Sequence, residues 1–228
     1  LVFKDTILGL AAGVRLTSND MLHKGDWITV KSVDANGIVE DMSLTTVKVR
    51  NFDNTIVTIS PATLVNGSFQ NWIGMQKSGG RRAKRIVYFD FRSIRLVDET
   101  LKQTLLAKHF ATEDSFKLKE SLQKAIEKDI QEGKDIEDLK NPAALAPTNL
   151  QLYRRFMEKY LRQRPEVNTE LTLMVRHMEA TQCGLPIEFY FFIKDKVWVN
   201  YEHILADIME HAYALANEFG LKIYEQYP

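Results

Sequence analysis

The sequence predicts an α+β chain in three consecutive parts: an N-terminal helix, a small bent antiparallel barrel, and an αβ domain with a helical insertion. Three observations predict it. Apolar residues recur at helical spacing ahead of Thr17, and short runs rich in Val, Ile and Thr fill residues 26–60. Beyond a glycine and arginine divide at "KSGGRRAKR" (Lys77 to Arg85), strand and helix patterns alternate. Lys plus Arg and Asp plus Glu number 30 each, so the net charge is zero, which argues against a nucleic-acid binder. The single cysteine, Cys183, excludes an internal disulfide and fits a reducing compartment. No apolar run of about 20 residues is present to span a bilayer alone.

The opening "DTILGLAAGVRL" reads as a helix, because Ile7, Leu10, Ala11 and Val14 repeat at three and four. It is too brief and too interrupted by Asp5 for a signal peptide, so residue 1 is expected to lie inside a longer protein. Gly9 and Gly13 share one face, either to admit a second backbone or as glycines that a helix tolerates. "TSND" stops the helix. Next come "DWITVKSV", "GIVEDMSL", "TTVKVRNF" and "TIVTIS", broken at "DANG" and "FDNT", a spacing that suggests a small, strongly bent antiparallel barrel. The part that holds it, residues 22–80, resembles Sm-like folds. Pro61 ends the last strand and starts a helical turn leading to an aromatic anchor, Trp72.

In the third part, 81–228, "RIVYFDFRSI" reads as a strand and "DETLKQTLLAKHFA" as a helix capped at Asp98. "TELTLMVRHMEA" and "LPIEFYFFI" are strands, "YEHILADIMEHAYALANEF" is a long helix and "LKIYEQY" a last strand. With residues 113–166 set aside as a surface insertion, the order is the split βαβ, ferredoxin-like arrangement.

No pattern asks for catalysis. His203, Asp207 and His211 step by four along one helix, but they spread over about 12 Å. Only a neighbouring pair could share an ion, and a solvated helix face is the simpler reading. No nucleophile elbow, P-loop or dinucleotide fingerprint is present, so no catalytic residue, metal or cofactor is expected. The basic run Arg81, Arg82, Lys84 and Arg85 could set a local field.

Several of these stretches resemble the MscS-type, small-conductance mechanosensitive channels, most closely the miniconductance-like branch. "LGLAAGVRL" is similar to the lower half of the family's pore-lining third helix, and "KGDWITV" to the entry of its β domain. "GIVEDMSLTTVKVRNFDNTIVTISPATL" resembles the family's long signature, and "GLPIEFYFFIKDKVWVNYEHILADIMEH" the end of its αβ domain. The resemblance implies that 1–21 end a pore helix whose gating positions include Leu1, Asp5, Gly9, Ala12 and Gly13. It marks Gly25, Asp26, Gly37, Val39, Thr46, Asp53 and Pro61 as signature positions of the β domain. Asp5 replaces a usual small residue, and Ala62 a usual Asn. A homoheptamer in a bacterial inner membrane is implied, with this region enclosing a cytoplasmic vestibule in which Arg81, Arg82, Lys84 and Arg85 tune the field. Membrane tension would open the pore and release ions and small osmolytes on hypoosmotic shock, with lipid and self as partners and no nucleic acid. The rival readings are a soluble Sm-like ring binding RNA through Trp27, Phe52 and Lys48, and a ligand-sensing ferredoxin-like domain.

Overall fold

The computed structural model describes residues 2–117, 120–133 and 146–225. The chain forms two compact units, Leu1–Ser78 and Gly79–Pro228.

In the first unit, α1 (Val2–Ser18) precedes β1 (Trp27–Val30), β2 (Ala35–Met42), β3 (Val47–Asn51) and β4 (Ile56–Ile59). α2 (Pro61–Asn66), β5 (Gln70–Asn71) and α3 (Ile73–Lys77) follow. The strands make one antiparallel sheet in the order β4-β3-β2-β1-β5. Every second residue of β2 and β3 turns inward, so Ala35, Val39, Val47 and Val49 join Leu16 of α1 and Leu64 of α2 in one core. A register shift between Val39 and Asp41 bends the sheet. The turn expected at "DANG" closes earlier, at Lys31–Asp34. Asp34 takes the left-handed conformation (φ 53°) and Ala35 already pairs with Val30. Gly37 therefore lies inside β2.

The second unit contains β6 (Arg81–Phe89), α4 (Glu99–Ala107), α5 (Glu120–Gln131), α6 (Asn149–Gln163), β7 (Met174–His177), β8 (Leu185–Ile193) and α7 (Trp198–Glu218). Asp98 caps α4, its carboxylate accepting from the Leu101 N–H. The sheet order is β6-β8-β7, all antiparallel neighbours. Among the described residues the expected final strand gives one bridge, Ile223 against Phe89 on the free side of β6, flanked by two backbone bonds. Counting that segment, the order is the 4-1-3-2 of a split βαβ fold.

One expectation is corrected. Residues 113–166 are not wholly a surface insertion, because α6 lies in the main core. Leu150, Tyr153, Met157 and Leu161 recur at three and four, are buried, and pack with Phe89, Phe189 and Phe219. α6 is part of the crossover between the parallel strands β6 and β7, whose apolar stripe the many Arg and Glu residues around it obscure.

Asn149, fully buried at the start of α6, holds three segments together. Its amide nitrogen donates to the carbonyls of Ser93 (2.9 Å) and Phe219 (3.1 Å), and its oxygen accepts from the N–H groups of Arg95 (3.0 Å) and Leu150 (2.9 Å). Asn149→Ala strands these buried groups without partners. It is expected to cost about 3 kcal/mol, read as a lowered denaturant midpoint.

Candidate functional site

The sequence-predicted positions of the first unit gather where α1 meets the sheet. The turn between β2 and β3 is tight: the Thr46 N–H donates to Ser43 Oγ (3.0 Å), and the Ser43 N–H donates back to the Thr46 carbonyl (2.8 Å). Leu44 sits at its tip, against α1. A Cβ placed on Gly13 would stand 2.1 Å from the Leu44 carbonyl oxygen, so only glycine lets helix and turn touch. Thr17 Oγ1 donates to the Gly13 carbonyl (3.0 Å), while Ala12 and Leu16 bury beside it. A Cβ placed on Gly9 would meet nothing within 4 Å. Among the described side chains of α1, several apolar ones are uncovered within the chain: Ile7 is 62%, Leu8 53% and Val14 53% exposed. Leu1 lies outside the described residues, as does the side chain of Asp5.

The other signature positions hold the sheet in shape. Gly25 (φ 93°) turns the chain so that its N–H reaches the Val39 carbonyl (2.8 Å). Asp26 follows, mostly buried. Its carboxylate accepts from the His23 N–H (3.1 Å) and the Asn71 amide (2.8 Å), and its carbonyl from the Val39 N–H (2.9 Å). A Cβ on Gly37 would lie 1.9 Å from the Arg50 carbonyl oxygen, so β2 and β3 owe their closeness to that glycine. Asp53 accepts from the hydroxyl (2.6 Å) and N–H (2.9 Å) of Thr55, which hold its carboxyl below the usual range and shape the turn into β4. Pro61 is the first residue of α2, behind a Ser60 cap. Trp72 stacks on Trp27 (4.7 Å between centroids, 19° between planes), and Phe52 meets the other ring of that pair, Trp27, edge-on.

In the second unit the pleat of β6 divides the basic run. Arg81 stacks over the Tyr201 ring of α7 at 4.4 Å, and Arg85 approaches Glu202 at 3.8 Å. Arg82 and Lys84 point to the opposite, open face, Arg82 beside Tyr190 and Lys84 3.3 Å from Glu188. Glu188, a carboxylate in the central strand, is completely buried and also accepts from Arg176 Nε at 2.5 Å. The Arg176 hydrogen bond, supplemented by Lys84, holds its carboxyl below the ordinary value against the effect of burial. Sequence reasoning missed Glu188, whose signal was one acid inside "IEFYFF". His203, Asp207 and His211 do not converge: His211 Nδ1 lies 2.8 Å from the Asp207 carbonyl and its ring stacks on Tyr160. Among the described residues no group of three His, Cys, Asp or Glu could hold a metal ion. No described helix is long and apolar enough to cross a membrane.

Residues 5–74 match the family model described as the β domain of mechanosensitive ion channels. The small-conductance mechanosensitive channel MscMJ of Methanocaldococcus jannaschii is 32% identical over 71 residues, 31% of this chain and 20% of that protein. An uncharacterised MscS family protein of Aquifex aeolicus is 35% identical over 89 residues, 39% of this chain and 22% of its own length. The chain thus aligns with about a fifth of these relatives. In solved structures the fold matches Arabidopsis thaliana MSL1, with a TM-score of 0.61 at 10% identity over 96% of this chain and 59% of that one. It also matches Helicobacter pylori MscS in its closed state, with a TM-score of 0.59 at 12% identity over 100% of this chain and 66% of that one.

Two measurements test this geometry. In chemical unfolding, Gly13→Ala is expected to destabilise the first unit by about 2 kcal/mol through the forced clash with Leu44. Gly9→Ala, with open space around it, is expected to gain up to about 1 kcal/mol from helix propensity. The stability that Glu188 contributes is expected to be complete above the ordinary carboxylate value of about 4.3 and to fall away below it, as pH drops through the depressed folded-state value. Glu188→Gln removes that acid dependence and costs about 2 kcal/mol at pH 7.

Proposed function

Taking this chain as a region of an MscS-type mechanosensitive channel, we propose that it ends the pore helix and builds the vestibule of a membrane-tension-gated channel. Seven copies form a ring at the cytoplasmic side of a bacterial inner membrane, and the open state releases ions and small osmolytes on hypoosmotic shock. The observation that carries this reading is α1, a helix bound to its own sheet at Gly13 whose outward face is apolar and uncovered. Such a face asks for neighbouring copies or lipid. The relatives named mechanosensitive channels support a transport role over catalysis.

The physical role of the Gly13–Leu44 contact is coupling. Tension favours whichever conformer occupies more area in the bilayer, and a ligand-free load shifts the equilibrium only through that difference. A helix joined backbone to backbone with a rigid sheet transmits its displacement to that sheet with little slack. Gly9, where an added Cβ would meet open space, is the position at which one copy's helix approaches the next. Hydrophobic dewetting closes the pore above it. Arg82, on the open sheet face, contributes to the field of the vestibule, whereas Arg81 and Arg85 act within their own subunit. The RNA-binding alternative finds little support, since Trp27 and Trp72 stack on each other, Phe52 lies edge-on to Trp27, and the chain carries no net charge.

Patch-clamp of the full-length protein in membrane patches under suction tests the proposal. A current that rises with tension is expected. Gly13→Ala is expected to shift the tension threshold, and Gly9→Leu to lower the recovered ring. Absence of tension-gated current from protein shown to be inserted would overturn the reading.

A further inference from the structure

We propose that a cleft of about 180 Å³ in the second unit, between the end of α4 and one face of α6, binds a small phosphate monoester. Arg155 and Lys159 stand one turn apart on α6 and both line it. Like charges at that spacing repel each other, so a helix gains nothing from the pair by itself. Neither forms an ion pair or hydrogen bond with any described residue, and Arg155 is half-buried. The neighbouring carboxylates are engaged elsewhere: Glu158 pairs with Arg162 at 3.2 Å and Glu113 with Lys102 at 3.8 Å. Among the described residues no Asp or Glu lines the cleft. A guanidinium withdrawn from water without an anion is costly, and a bound anion removes that cost.

The other walls fit the same ligand. His109 closes α4 in the left-handed conformation (φ 58°), with its N–H on the Leu106 carbonyl and the Phe110 N–H on that of Leu105. Glycine is the usual residue there, so the imidazole is placed at the rim against backbone preference. Thr112 and Ser115 also line it; their hydroxyls lie 3.3 Å apart and bond to each other, which leaves one hydroxyl proton for a ligand on that side. Phe110 and Phe156, edge to face at 5.2 Å, make an apolar floor suited to a short carbon skeleton. The volume falls below the roughly 300 Å³ at which pockets for drug-sized molecules begin, which favours a headgroup-sized ligand over a nucleotide or a peptide. A dianion with three acceptor oxygens matches a fork of two cations with a third donor opposite.

The test is equilibrium dialysis of the intact protein against glycerol phosphate in low salt at pH 7, with glycerol and glycerate as controls. One saturable site per chain is expected, with glycerol inert and glycerate weaker. Arg155→Gln and Lys159→Gln are each expected to weaken binding about tenfold while leaving the unfolding midpoint in place. No saturable uptake, equal uptake by both variants, or glycerate binding as tightly as the phosphate ester would each overturn the proposal. The site is independent of the channel reading: tension-gated current without binding would remove the site alone, and binding without current would remove the channel reading alone.

Discussion

The first unit depends on two places where backbone meets backbone with no room for a side-chain carbon. At Gly13 the helix lies on the carbonyl of Leu44, and at Gly37 one strand lies on the carbonyl of Arg50. Close packing makes such contacts unforgiving, since an added methyl must displace main chain and not a flexible side chain. The remaining signature positions are arranged around them. Asp26 joins the loop before β1 to β2 and β5, Asp53 and Thr55 set the exit of the β3–β4 turn, and Pro61 starts the short helix against which α1 packs. Rigidity in the sheet and an uncovered apolar helix face are therefore properties of the same few residues.

The second unit solves a different problem, that of burying polar groups inside an aromatic core. Asn149 uses both ends of its amide among carbonyls and N–H groups of three segments, and Tyr153 next to that site donates its hydroxyl to the Ala212 carbonyl at 2.6 Å. Burial pushes the Tyr153 phenol well above its ordinary value, so it remains a donor throughout the physiological range. Glu188 sits on the other face of the sheet, between two cations whose chains are half in water. The charge is thereby balanced at the surface while the carboxylate itself is covered.

Much of this was legible in the residues. Short Val, Ile and Thr runs with turn residues between them located the strands, Asp98 and Pro61 marked helix starts, and the βαββαβ order emerged from alternating periods. Other features were not, for physical reasons. The stripe of α6 is interleaved with Arg154, Arg155, Glu158 and Lys159, so its charge content concealed a core helix. The period of two along β6 sends Arg81 and Arg85 one way and Arg82 and Lys84 the other, which a cluster in the sequence cannot reveal without the pleat. Gly13 could be recognised as a small residue, but the carbonyl it accommodates comes from a turn far along the chain. Of the expected last strand, the described residues give a single bridge, at Ile223 against Phe89.

The stacking of Trp27 on Trp72 has a mechanical corollary. Those two rings lie at the start and just past the end of the five-stranded sheet, and the adjacent β1–β5 ladder joins the same ends through only two residue pairs. A pull entering near Gly25 and leaving near Ser78 would load this bracket before it reached the longer strands behind it. The unit would then behave as a stiff link whose weakest part is a pair of indoles sliding over each other.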